Sequence, residues 1–203
     1  MPASGSLALL LRRVLLWLPV TFAAWYLTAG WHLAPVAWAA HHLLQFWLPE
    51  AVADLSLRQN ELLLISRFGE LGGKMVANPP PGENLGFLTN PLSYSYSLPL
   101  FAALALATPL PNRWRRLAIG LGVLVLIELA SMLATQVKTL VFATGGAFIA
   151  QQQWGATARD AVALAYQMGS LLLPMVMPLV VWMAGHGAYL AQLAPALRKA
   201  PHP

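Results

Sequence analysis

The sequence predicts an all-α integral membrane protein: a bundle of about four transmembrane helices with an interfacial helix and a small extracytoplasmic β-hairpin and loop. Three observations carry this reading. Only 9% of the 203 residues are charged while 58% are hydrophobic, against about 25% charged in an ordinary soluble domain. Four stretches are long and apolar enough to cross a bilayer. The Lys and Arg residues fall asymmetrically around those stretches.

So few charges cannot cover the surface of a water-soluble fold, and the mean hydropathy of +0.61 agrees. Lipid must therefore supply part of the solvent. The length suits a single membrane domain over residues 1–203. The net charge of +5 does not indicate nucleic acid, because the basic residues flank apolar spans instead of forming a face. The chain contains no cysteine, which excludes disulfides, thiolate metal sites and a cysteine nucleophile.

A hydrocarbon core of about 30 Å needs roughly 20 apolar helical residues. The predicted spans run over 14–31, 94–110, 117–137 and 161–189. The first follows Arg12 and Arg13 and is too long for a signal-peptide core, so it reads as an uncleaved anchor. The last contains Pro174 and Pro178, which should kink it.

Orientation follows from the loops. Arg12, Arg13, Arg113, Arg115, Arg116, Arg198 and Lys199 lie on one side if both termini are cytoplasmic, with no acid among them. The opposite side balances Arg58, Arg67, Lys74, Lys138 and Arg159 against Glu50, Asp54, Glu61, Glu70, Glu83 and Asp160. This pattern requires an even number of crossings. Trp31, Trp38, Trp47 and Trp154 then fall at the outer interface, and Trp17, Trp114 and Trp182 near the inner one, as an aromatic belt does.

Residues 32–93 form the predicted extracytoplasmic segment. In 33–49, Val36, Ala40, Leu43, Leu44 and Trp47 recur at helical spacing, giving a helix in the outer interface with His41 and His42 near the edge of its apolar stripe. A fifth crossing there would reverse everything downstream. Over 54–68, Leu55 and Leu57 alternate with polar residues, Arg58-Gln59-Asn60-Glu61 offers a turn and Leu62 to Ile65 is β-prone, so a hairpin is expected. Gly72-Gly73 and Asn78-Pro79-Pro80-Pro81-Gly82 mark an irregular loop ending near Asn90-Pro91.

Glu128 stands near the middle of the third span. A carboxylate there is costly, so it should face the bundle interior, as a proton or ligand site or as a buried structural acid. Thr135, Gln136 and Lys138 end the third span, Tyr166 and Gln167 begin the fourth, and Asn90, Ser93, Tyr94, Ser95, Tyr96 and Ser97 begin the second. These sets share one depth on the outer side, where they either converge on a pocket or cap helices at the headgroup level. Adjacent His41 and His42 point apart on a helix and do not chelate readily. No HExxH, GxSxG, Walker or zinc pattern occurs, so no catalytic residue, metal or cofactor is predicted.

The stretch Asn90-Pro91-Leu92-Ser93-Tyr94-Ser95-Tyr96-Ser97-Leu98-Pro99-Leu100, an Ala/Leu-rich span, then Asn112-Arg113-Trp114-Arg115-Arg116 and another apolar span resembles the central helices of the exosortase/archaeosortase group, membrane transpeptidases that process C-terminal sorting signals. The resemblance covers about Asn90 to Tyr189. It implies an active site of extracytoplasmic Cys, Arg and His, yet the Cys is missing, Thr135-Gln136-Val137-Lys138 stands where the Arg is expected, and Tyr166-Gln167 where the His is expected.

The chain therefore resembles a non-catalytic relative, most similar to the exosortase H-associated membrane protein family. That similarity implies a multi-pass protein of the bacterial inner membrane whose partners are membrane lipid and an exosortase-type transpeptidase or its sorted substrates. Two other functions remain open from the residues alone: a small transporter or permease-like subunit organised around Glu128, and a membrane enzyme using Glu128 or Tyr166.

Because the native chain lacks cysteine, single introduced cysteines report topology directly. A cysteine at Asn112 should be shielded from an impermeant thiol reagent in intact cells, and one at Gln152 should be labelled.

Overall fold

The structure is a computed structural model that describes residues 7–72, 74–80, 83, 85–144 and 146–191. Gly73, Pro81 and Gly82 of the predicted loop, and Arg198 and Lys199 of the predicted basic tail, lie outside the described residues.

Among the described residues three helices are long and apolar enough to cross a membrane: Leu7–Leu27, Arg113–Ala143 and Ala156–Gly185. In the most apolar window of the first, only 11% of residues are buried inside the protein. Leu11, Leu15, Leu16 and Val20 of that helix are exposed, as are Leu171, Leu172, Met175 and Val176 of the last. Apolar faces of this extent need lipid, so the chain is a membrane protein.

The second predicted span, from Tyr94 to Leu110, is a shorter apolar stretch, Leu92–Ala107. Pro91 starts it, a turn at Tyr96 divides it, and Pro109 and Pro111 follow its end. The third predicted span is extended at both ends, since its helix begins at Arg113 and runs on through Lys138 to Ala143.

The chain folds as two compact units. The first comprises the described parts of Met1–Leu27, Tyr96–Val125 and Met175–Pro203. Here α1 (Leu7–Leu27) packs on α4 (Ser97–Ala107). The alanines of α4 let two backbones approach where larger side chains would separate them. The start of α5 (Arg113–Ala143) and most of α8 (Leu173–Gly185) complete this unit.

Several of its polar side chains find partners at helix ends. The Thr108 hydroxyl donates to the Leu104 carbonyl at 2.8 Å and accepts the Trp182 indole N–H at 3.0 Å. The Arg116 guanidinium donates to the Gly185 carbonyl at the end of α8. Gly120 of α5 is required by Phe101 of α4, since a Cβ there would overlap the ring.

The second unit comprises Thr28–Ser95 and Leu126–Pro174. The predicted interfacial helix is α2 (Ala29–Trp47). Its buried face is Leu33, Val36, Ala37, Ala40 and Leu44, whereas Leu43 and Trp47, expected in the same stripe, are exposed. That face packs on β1 (Val52–Arg58). The hairpin is present: β1 pairs antiparallel with β2 (Glu61–Ser66), Arg58 opposite Glu61, with Gln59 at φ 56° in the turn. Leu55, Leu62 and Leu64 are buried at alternate positions.

The expected irregular loop is largely strand. β3 (Phe68–Leu71) and β4 (Lys74–Ala77) form a second hairpin about Gly72, at φ 58°. β5 (Leu85–Thr89) returns to pair with β2, giving the order β1-β2-β5. These strands have four or five residues, and glycine and proline at their ends mask them in a local reading; β5 exists because it completes the β2 ladder.

In place of a simple proline kink, the last long helix contains a π-helical turn. α7 (Ala156–Gln167) passes through Met168–Leu172 into α8, and the Leu173 N–H donates to the Met168 carbonyl, five residues back. Pro174 has no N–H to give to Ser170, so a widened turn relieves the ladder at that point.

Replacing Gly120 with alanine should cost about 1–3 kcal/mol through overpacking, read as a lower unfolding midpoint in detergent. Adding Phe101→Leu to the same chain should recover most of the loss.

Candidate functional site

The candidate site lies in the second unit, along one face of α5. Glu128, Ser131, Thr135 and Thr139 follow one another by three or four residues and so share a helical stripe. The three hydroxyls each donate to the carbonyl four residues back: Ser131 to Ile127 at 2.9 Å, Thr135 to Ser131 at 2.8 Å, Thr139 to Thr135 at 3.0 Å. Such back-bonding hides hydroxyls in an apolar setting. Gly169 of the π-helical turn packs against Ser131, its Cβ position only 3.1 Å from the Ser131 Cα. This close approach needs glycine.

At one end of the stripe the Glu128 side chain is fully buried, with His32 Nε2 of α2 at 3.9 Å from its Oε1. His32 Nδ1 lies 3.3 Å from the Thr28 carbonyl, so this nitrogen carries the proton, and Nε2 faces the carboxyl as a lone pair when the ring is neutral. Burial pushes the imidazole below its ordinary range, outweighing the Thr28 hydrogen bond that raises it. Both Glu128 oxygens, His32 Nε2 and the Tyr94 hydroxyl are buried without a hydrogen-bond partner among the described residues. Tyr94 also lies within electrostatic reach of Glu128. Three of these four atoms are acceptors, or become so on ionisation, so the group calls for something that brings donors: a proton, a water or an N–H-bearing ligand.

Toward the other end of the stripe is a cavity of about 180 Å³. It is lined by Thr89, Asn90, Ser93, Tyr94, Thr135, Lys138, Thr139 and Tyr166. The Lys138 ammonium sits over the Tyr166 ring, 5.0 Å from its centre, which orders both side chains by a cation–π contact. One cation among hydroxyls and an amide suits a small anionic or strongly polar group.

Of the residues singled out from the sequence, Asn90, Tyr94, Lys138 and Tyr166 thus line one cavity. Gln136 is buried beside it and donates to the Thr89 hydroxyl at 3.0 Å. Glu128 lies apart from that cavity, in the His32 cluster. Gln167 is exposed at the end of α7, and Tyr96 begins α4 in the other unit. Thr135 and Ser93, named in the same polar sets, line the cavity too, whereas His32, Ser131 and Thr139 were not singled out. The three-and-four spacing from Glu128 was the signal for the hydroxyls; nothing local marks His32.

His41 serves the fold. Its Nδ1 accepts the Leu55 N–H at 3.0 Å and holds β1 to α2. Among the described residues no group of three or more His, Cys, Asp or Glu is placed to hold a metal ion.

A polytopic membrane protein with a buried polar stripe, a small polar cavity and no cysteine is the class that fold and site define. Residues 5–188 match the family described as exosortase H-associated membrane protein, and the chain belongs to that family. Searches of curated proteins and of solved structures each found no match.

Thr89→Val should destabilise the protein by about 1–3 kcal/mol, because it leaves the buried Gln136 amide N–H unpaired. The double variant with Gln136→Leu should recover most of that loss, measured as a coupling free energy from unfolding in detergent.

Proposed function

We propose that this chain is a non-catalytic accessory protein of a bacterial exosortase-type sorting system, resident in the inner membrane. The observation that carries the proposal is family membership over nearly the whole described chain, in a sequence with no cysteine. The resemblance of 90–189 to the sortase helices implies that a transpeptidase needs a thiolate nucleophile, which this chain cannot supply. It serves by holding or stabilising the enzyme, or by presenting its substrate.

In this reading the chain crosses the membrane four times with both termini cytoplasmic, and Leu92–Ala107 provides the second crossing. The sheet, α2 and the cavity face the extracytoplasmic side, where C-terminal sorting signals emerge. The polar cavity around Lys138 then gives the partner a point of attachment, while the Glu128–His32 cluster stays inside the fold. Support comes from the basic loops, from the shared depth of the polar sets, and from the absence of a charged partner for Lys138 among the ion pairs of the described residues.

Purification of tagged protein in mild detergent should recover a multi-pass sortase. Lys138→Gln should weaken that recovery about tenfold while leaving membrane abundance unchanged, as loss of one charge-assisted contact implies. Repeated failure to recover a sortase from cells that contain one would contradict the accessory role.

A further inference from the structure

A second cavity, within the first unit, has no part in the role just proposed. Its volume is about 460 Å³, large enough for a segment of acyl chain. Its walls divide by chemistry. Phe101, Ile119, Val123 and Val180 supply an apolar channel, and Asn112, Arg115 and Arg116 stand at one end.

That polar end is unbalanced. Arg115 is exposed, and no acidic residue lines the cavity. Arg116 uses one guanidinium nitrogen to hold the Gly185 carbonyl, while its Nε is buried with no partner among the described residues. A buried donor left unmade is costly. The same place is the N-terminus of the 31-residue α5, whose unpaired N–H groups add positive potential. Arg113, by contrast, lies over the Trp114 ring at 5.0 Å and does not line the cavity.

We infer that this cavity is a binding site for one anionic phospholipid, its phosphate held by Arg115, Asn112 and the Arg116 Nε, and one acyl chain lying along Ile119, Val123 and Val180. The charge selects the headgroup and the apolar wall demands the tail, so a free anion meets only half of the site. Membrane lipid is on hand wherever the helices are embedded. The site is independent of the sorting role and holds for either orientation of the chain.

The test uses the full chain reconstituted in vesicles of equal phosphatidylglycerol and phosphatidylcholine, extracted in mild detergent and weighed intact by native mass spectrometry. Wild-type protein should retain one phosphatidylglycerol in about tenfold preference to phosphatidylcholine, the scale of one charge-assisted phosphate contact. Arg115→Gln should abolish the preference, and Arg113→Gln, which removes an equal charge from the same turn, should keep it. Ala184→Phe, which fills the apolar wall without changing charge, should lose the lipid altogether.

Inorganic phosphate at tens of millimolar should not displace the lipid. Three results would overturn the inference: no retained lipid, meaning protein fills the groove; equal losses in the Arg113 and Arg115 variants, meaning diffuse surface attraction; or displacement by inorganic phosphate, meaning an anion site without a lipid tail.

Discussion

Hydrocarbon offers no hydrogen-bond partner, so a helix that crosses it must satisfy its polar groups inside the protein or hold them at its ends. Both solutions are visible here. Along α5 the hydroxyls of Ser131, Thr135 and Thr139 fold back on their own helix, and Glu128 turns into the second unit toward His32. In the first unit, Thr108, Trp182 and Arg116 close the ends of α4 and α8. The long apolar faces of α1 and α8 are left bare, where only lipid can lie against them.

The same constraint explains why the two polar regions of the second unit differ. The cavity beside Lys138 is open enough for a ligand and has a fixed charge, so it is suited to contact with another molecule. Glu128 does not line that cavity, and its unpaired oxygens concern the interior of the fold. Burying a carboxyl with His32 beyond hydrogen-bond reach costs free energy. An accessory protein can carry that cost where it fixes a unique packing.

Much of the architecture was legible because lipid writes a strong signal: length, apolarity and flanking arginines identified the regions of all three long helices. Turn chemistry likewise identified the 52–66 hairpin. Glu128 was legible as buried, since an acid inside an apolar run has nowhere else to go. The partners were not. His32 comes within 3.9 Å of Glu128 although the two stand far apart in the sequence, and β5 meets β2 across an intervening hairpin and loop; neither approach is encoded in local alternation. Within the site, Asn90, Tyr94, Lys138 and Tyr166 line one cavity, whereas Gln167, singled out with them, is exposed at the end of α7.

The account depends on lipid contacting the exposed apolar faces of the three long helices. Single nitroxide labels at Leu15, Leu126 and Leu179, introduced through cysteine into the otherwise cysteine-free chain and reconstituted in liposomes, test this by relaxation accessibility. All three positions should collide freely with molecular oxygen and be shielded from a water-soluble nickel chelate. Ready access of the nickel reagent to these positions would show them facing water, and the membrane architecture would not stand.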